Sequence, residues 1–316
     1  MSGIAMVFSG QGQQYLGMGQ SLYDAYPLVR DFFAQAENIT GMELKRLCFE
    51  GPMEELTETA NLQPAITAVN IACFMVLREK GIMPAVVAGH SLGEITALFA
   101  CGCLNLEQTL SFVKRRGEVM HREAEANPGV MRTIIGLDSA VVREVCAQVD
   151  GVVQAANLNT PIQTVITGEA TAVDEAVRIL KEKKARIVPL KVSGPWHSPF
   201  MQKAEDELKP MLEAMEFAVP SCFMAPNVSG KPTKDPQVIK SELMSQIVRP
   251  TNWLDTARNI WGMGIRVFIQ AGPKNVLVNM ISQTIEREAP EAQRADLLIS
   301  NVEDVETLEK ALVVLK

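Results

Sequence analysis

Ser91 lies in Gly89-His90-Ser91-Leu92-Gly93, between the apolar run Ala85–Ala88 and the largely apolar stretch Glu94–Ala100. A G-x-S-x-G at a strand-to-helix junction holds its serine in a strained turn and presents the hydroxyl to a substrate carbonyl. Small residues two before and two after let the chain pass through that turn without collision. Helix-terminal N–H groups have no partner inside the helix, so they can stabilise the oxyanion formed when a thioester or ester carbon becomes tetrahedral. One donor is expected from the Leu92 N–H. A second is expected from the loop Ser9–Gln14, which carries Gly10 and Gly12. The competing reading of Ser91 is an ordinary helix N-cap, and that of the two glycines a plain loop.

A serine nucleophile needs a base, and the chain has three histidines. His90 is the immediate neighbour of the serine, and the elbow is expected to turn its ring away. His121 falls late in a charged helix and is expected at the surface. His197 sits in Gly194-Pro195-Trp196-His197, a turn-forming run after a strand and before a helix, and is the candidate that takes the serine proton and returns it to the leaving group. No carboxylate between Ser91 and His197 stands out as its orienter, so a backbone or amide carbonyl is expected to fix the tautomer. A core or turn role is the competing reading. Lys114, Arg115 and Arg116 offer a cation, and a planar guanidinium grips a carboxylate through two parallel hydrogen bonds. Sequence alone leaves Arg115 and Arg116 interchangeable. Lys181, Lys183, Lys184 and Arg186 read as a solvated helix end, or as a patch for an acidic partner.

These residues need a scaffold. Ile4–Phe8 reads as a buried strand running into the Gly- and Gln-rich loop, followed by a helix to about residue 35. Pro64 is expected to open a buried helix that stops at Gly81. A strand over residues 85–88 leads into the serine turn, and two helices separated near Gly102 and Asn105 follow. From 127 to 193 the rhythm becomes β-α-β-β-α-β, the ferredoxin-like unit, with strands at 130–136, 152–158, 163–168 and 185–192. α/β signals then resume with GIRVFIQAGP, a helix through Glu288, the LLISNV segment and a terminal helix. The expectation is an α/β fold divided as 1–126 and 194–316 for a large domain, with 127–193 inserted as a small one.

Composition bounds the function class. The chain has 316 residues, 47% hydrophobic and 21% charged, enough for a large core and without the bias of disordered or collagen-like sequences. A net charge of −7 argues against nonspecific nucleic-acid binding, which draws on many Lys and Arg contacts to phosphate. Apolar stretches are broken by Gly, Pro or charge, and no secretory leader pattern opens the sequence, so a cytoplasmic protein with no membrane association is expected. The six cysteines lie mostly in apolar segments; Cys101 and Cys103 form C-x-C, and they read as reduced core residues rather than metal ligands.

Taken in order over nearly the whole chain, the segments FSGQGQQYLGMG (8–19), LTETANLQPAI (56–66), GHSLGE (89–94), RRG (115–117), NLNTPIQTVITG (157–168), SGPWHSPFM (193–201), NVSG (227–230), QIVRPTNW (246–253) and AGPKNVL (271–277) resemble the malonyl-CoA:acyl-carrier-protein transacylase family, including relatives built into polyketide synthases. The resemblance implies an α/β-hydrolase-like large domain, a ferredoxin-like small domain and a cleft between them. It assigns Ser91 as the acylated serine and His197 as its partner. It places the backbone N–H of Gln11 beside that of Leu92 in the oxyanion hole, Arg116 on the free carboxylate of malonate, and Gln246 near the histidine as a supporting residue. It further implies a free-standing, monomeric enzyme of fatty-acid or polyketide synthesis, with a coenzyme A thioester as donor, an acidic acyl carrier protein as transient acceptor, and no metal or redox cofactor. A serine thioester hydrolase and an inactive carrier-protein-binding module are the alternatives. Three features depart from the family pattern: Lys274 where a glycine is usual, Arg132 and Thr133 where small or apolar residues are common, and the Trp196 of GPWH, which could cover the acyl group or wedge the domain interface.

Overall fold

The computed structural model describes residues 3–190 and 194–315, so the end of the strand expected over 185–192, Ser193 and the expected domain boundary there lie outside the described residues. Nine strands fall into two sheets: β1 (Ile4–Phe8), β2 (Val86–Gly89), β3 (Val130–Ile135), β4 (Val153–Thr160), β5 (Gln163–Gly168), β6 (Arg186–Pro189), β7 (Phe223–Ala225), β8 (Val267–Ala271) and β9 (Leu298–Val302) among the described residues. The larger sheet is parallel, in the order β7-β2-β1-β8-β9. Parallel strands covered on both faces read as continuous apolar runs, and β1 shows why. Met6 and Phe8 join one core with the helix Thr59–Glu79, while Ala5 and Val7 join a second on the opposite face with Phe268 and Leu277. The smaller sheet is antiparallel, in the order β4-β5-β3-β6, the arrangement of a ferredoxin-like module. Ile134 and Ile166 pack under the helices Ser139–Gln148 and Ala170–Glu182. Met131, Thr133 and Val165, on the alternate positions, face the large sheet's loops across a cleft. The architecture is an α/β-hydrolase-like body with a ferredoxin-like module inserted.

Several elements differ from expectation for local reasons. The helix expected to run to about residue 35 is two, Gln20–Ala25 and Pro27–Thr40, because Tyr26 is extended and Pro27, lacking an N–H, starts the second. Pro64 does not open its helix; it lies inside Thr59–Glu79. Its missing donor would face the carbonyl of Ala60, on the turn where Gly117 packs so closely that a Cβ there would stand 3.2 Å from the Ala60 oxygen. By length and composition that helix could cross a membrane, yet 83% of its most apolar window is buried inside the protein. β7 was not anticipated, since three residues at a sheet edge carry no periodicity. All six cysteines are buried free thiols.

The departures from the family pattern also find places. Arg132 lies on the helix-facing side of β3 within 4.0 Å of Asp174, whereas Thr133 faces the cleft. Lys274 adopts φ +60°, a left-handed backbone that a glycine takes without strain. Its N–H is nonetheless held by Glu303 Oε2 at 2.8 Å. Relief of a left-handed penalty of about 1–2 kcal/mol, less glycine's greater unfolded entropy, gives the expectation for Lys274→Gly: stabilisation by roughly 0.5–1 kcal/mol in urea unfolding. A lower midpoint would show that the lysine side chain compensates for its backbone.

Candidate active site

β2 ends at Gly89 and the helix Gly93–Ala100 begins four residues later, so the chain reverses within the serine turn. Ser91 sits at φ +50°, and both flanking glycines are required by contact rather than by their own dihedrals. A Cβ on Gly89 would lie 1.9 Å from the carbonyl carbon of Gly93, and one on Gly93 would lie 2.1 Å from the carbonyl oxygen of Phe8. Asn227 ties the turn from beneath: its Oδ1 accepts from the Ser91 N–H at 2.7 Å and its Nδ2 donates to the Gly89 carbonyl at 2.6 Å.

His197 Nε2 stands 2.8 Å from Ser91 Oγ. On its other side, Nδ1 meets the backbone carbonyls of Gln246 at 3.0 Å and Arg249 at 3.1 Å. Two carbonyl oxygens can be satisfied only by an N–H at Nδ1, which leaves Nε2 free to accept the serine proton. The orienting group is thus main chain, as anticipated, and no carboxylate takes that place. His197 is itself at φ +58°, with its carbonyl held by Gln154 Nε2 at 2.6 Å. Burial, and then the charge of Arg116, push its pKa down to about 3, so the ring is neutral at physiological pH.

The two candidate arginines separate in space. Arg115 is at the surface, paired with Glu118 and Glu207. Arg116 is 1% exposed, and its Nη2 reaches to 3.5 Å from Ser91 Oγ. Its guanidinium donates to the amide oxygens of Gln63 at 2.9 Å and Gln246 at 2.8 Å. Burial lowers its pKa to about 10, which leaves it charged at neutral pH. Gln246 does more than its carbonyl implies: its Nε2 also donates to the Ser91 carbonyl at 2.8 Å and to Glu94 Oε2 at 2.7 Å. Burial raises Glu94 to about 8, against the opposing effect of the Gln246 bond, so it is mainly protonated at neutral pH.

A cavity of about 330 Å³ opens over Ser91, lined by His197, Gln11, Trp196, Met280 and the Asn157 and Asn159 side of β4. Trp196 is therefore a wall of the cleft, with 6% of its surface exposed. Neither the Gln11 nor the Leu92 N–H donates to a protein acceptor among the described residues, which leaves both available. The His90 ring makes no hydrogen bond to the serine hydroxyl, in keeping with a side chain turned away by the elbow, yet it still lines the cleft. Its Nε2 is 3.0 Å from Asn159 Oδ1 and its ring packs against Trp253, because the large sheet and the module close over it. His121 stays near the helix surface beside Glu125. A groove of about 820 Å³ between Asn105, Phe217 and Lys240 contains none of these groups.

Gln63, Glu94, Asn227 and Asn159 were not singled out from sequence. Glu94 carried the clearest signal, an acid in an otherwise apolar helix start; the amides lie inside the family-like segments but carried no chemical signal of their own, because their partners Arg116, His90, Ser91 and Gly89 lie 53 to 138 positions away.

Serine-ester chemistry in a cleft between an α/β-hydrolase-like body and a ferredoxin-like module is the class that fold and site define. The model of the acyl transferase domain family matches residues 5–316, and the chain belongs to that family. It is 37% identical, over all of its length and 98% of the relative's, to the malonyl CoA-acyl carrier protein transacylase of Bacillus subtilis. It is 34% identical to the protein of the same name from Escherichia coli K12, over 90% of this chain and 94% of that one. Among solved structures, a malonyl-transacylase in complex with its type II PKS acyl-carrier protein superposes with a TM-score of 0.91 at 36% identity, covering 99% of both chains. The corresponding transacylase of Coxiella burnetii gives 0.92 at 34% identity, covering 99% of this chain and 98% of that one.

Neutral burial of His197 has a consequence for stability. The folded pKa of about 3 lies below the unfolded value of 6.5, so between these limits the unfolded chain binds more protons. The stability contributed by neutral His197 is present above pH 6.5 and is lost as pH falls towards 3. Denaturant titrations between pH 4 and 7, roughly the span of this linkage, should show a shallower acid decline in His197→Gln than in the parent chain. Equal slopes would mean that His197 is not buried neutral.

Proposed function

We propose that this chain moves a malonyl group from coenzyme A to the phosphopantetheine thiol of an acyl carrier protein through an ester on Ser91. The observation that carries the acyl choice is Arg116, a charged, buried guanidinium 3.5 Å from Ser91 Oγ whose other contacts are neutral amide oxygens. A malonyl carboxylate gives such a cation the opposite charge that its pocket does not supply, and an acetyl group does not.

The cycle uses the groups in turn. Malonyl-CoA enters the cleft with its free carboxylate against Arg116. Ser91 Oγ attacks the thioester carbon as its proton passes to His197 Nε2 across 2.8 Å. Charge on the former carbonyl oxygen develops towards the N–H groups of Gln11 and Leu92. The C–S bond breaks, and the imidazolium proton goes to the coenzyme A sulfur. In the second half the carrier thiol gives its proton to His197 and attacks the malonyl ester; Ser91 leaves and recovers that proton. The malonyl carboxylate also serves His197, since neutralising Arg116 removes one of the causes that depress its basicity. Proton and acyl balance close without a metal or redox group. Gln246 supports the pair from both its carbonyl and its carboxamide.

Segments 1–126 and 194–316 form the catalytic body in this reading, and 127–193 the module that closes the cleft. A cytoplasmic, monomeric supplier of fatty-acid or polyketide synthesis is the setting it fits, with an acidic carrier protein as a transient partner.

Intact-protein mass measurement after mixing with malonyl-CoA should show a malonyl increment that Ser91→Ala abolishes. Coenzyme A binding without the increment would refute the covalent route, and free malonate in place of loaded carrier would make the chain a hydrolase. Arg116→Ala should reduce malonyl loading by about 100-fold, the scale of a lost charged hydrogen-bonded contact, while acetyl loading falls far less. An unchanged malonyl-to-acetyl ratio would remove Arg116 from acyl selection.

A further inference from the structure

A fully buried carboxamide lies outside the groups used so far. Gln270, at 0% exposure, is on β8 beside the end of β1, paired in register with Val7. Its Oε1 accepts from the N–H of Leu277 at 2.8 Å and of Val278 at 3.4 Å, at the start of the helix Val276–Glu288. Its Nε2, with two hydrogens to donate, faces four acceptors: Ser9 Oγ at 2.9 Å, Gln13 Oε1 at 2.9 Å, Lys274 O at 2.9 Å and Pro273 O at 3.2 Å. Ser9 Oγ in turn donates to Pro273 O at 3.0 Å. One side chain therefore joins the helix start, the turn after β8 and the first residue of the loop that carries Gln11.

That loop is gripped from two other directions. Asn70 Nδ2 donates to the Ser9 carbonyl at 2.9 Å. Gly10 lies so close to the serine turn that a Cβ there would be 2.4 Å from the His90 carbonyl oxygen. Ser9 and Gly10 are thus fixed against both the large sheet and the Ser91 turn, and Gln11 is the next residue. Two N–H groups on different segments make a common oxyanion site only if their separation is held constant, and a misplacement of about 1 Å is enough to lose about 100-fold in rate.

We propose that Gln270 is a positioning residue that, through Ser9, sets the N–H of Gln11 against that of Leu92. The assignment rests on the acyl-transfer reading above. Gln270 touches no substrate; it acts on the transition state by fixing the loop, so its removal lowers the rate of acylation and leaves malonyl-CoA affinity close to that of the parent. The polarity of the side chain matters as well as its volume. One end must accept from two N–H groups while the other donates, a donor end that an ionised carboxylate lacks and a protonated one supplies in part, through its single O–H.

The test is single-turnover malonylation of the full chain, followed by mass, for Gln270→Met, Gln270→Glu and Ser9→Ala. Gln270→Met should acylate about 10- to 100-fold more slowly at saturating malonyl-CoA, with the concentration for half-maximal rate within about threefold of the parent. Gln270→Glu should approach the parent rate at low pH and lose activity as pH rises and its carboxyl ionises, a limb the parent lacks. An acylation rate for Gln270→Met within about twofold of the parent, a loss carried wholly by the half-saturation concentration, or identical pH profiles for the Glu and Met variants would each overturn the assignment. Should Gln270→Met not fold, Ser9→Ala decides: a slower limiting rate supports the clamp, and an unchanged one overturns it. Absence of malonyl-Ser91 in the parent chain would overturn the acyl-transfer reading and this assignment together, whereas acylation of parent and variants at the same limiting rate overturns this assignment alone.

Discussion

A serine at φ +50° is held there by packing that leaves no room for a side chain on either flank. Left-handed backbone costs about 1–2 kcal/mol for a residue with a Cβ, and it persists only where the surroundings over-determine it. Here they do. Gly89 and Gly93 lie almost in contact, Gly93 rests on the end of β1, and Asn227 bonds the main chain before and within the turn. From that one bend follow the exposure of the hydroxyl, the position of the Leu92 N–H at the head of a buried helix, and the contact between the serine turn and the loop at Gly10.

Charge is handled in an equally economical way. Arg116 is buried beside a carboxyl that burial keeps mainly protonated at neutral pH, so its charge meets amide oxygens of Gln63 and Gln246 rather than a permanent counter-ion. Such a cation is expensive to hold in the interior, and the expense is reduced when an anionic ligand arrives. A built-in carboxylate partner would stabilise the fold better and compete with the substrate. His197 follows the same logic. Its partners on the Nδ1 side are neutral carbonyls, which fix the tautomer without adding a negative charge next to the site where malonate would bind.

Both halves of the molecule are needed to complete the cleft. Ser91 and Gln11 follow strands of the parallel sheet, while Asn157, Asn159, Thr133 and Val165 come from the open face of the antiparallel module. His90 shows the coupling: its neighbour in sequence is the nucleophile, and its ring is fixed by Asn159 of the module and Trp253 of the body. Polar asparagines at alternate positions of β4 are thus the cleft side of that strand rather than interruptions of it.

Local order was legible in the sequence because its causes are local. The glycine spacing around Ser91, the strand before it, the apolar helix after it and the β-α-β-β-α-β order of the module follow from sterics and periodicity within short windows. Motif order along the chain identified the family, and with it Ser91, His197, Gln11, Leu92, Arg116 and Gln246 as candidates. What the tertiary structure decided is which polar groups meet. Arg115 and Arg116 are adjacent and chemically identical, and only the packing of their helix sends one to surface carboxylates and the other to the serine. The amides of Gln63, Asn227 and Gln270 have no pattern in sequence, since their partners are main-chain and side-chain groups brought together by the sheet order. Hydrogen bonds are directional and span any separation along the chain, so a sequence can announce that a serine will be exposed but not which carbonyl will hold its histidine.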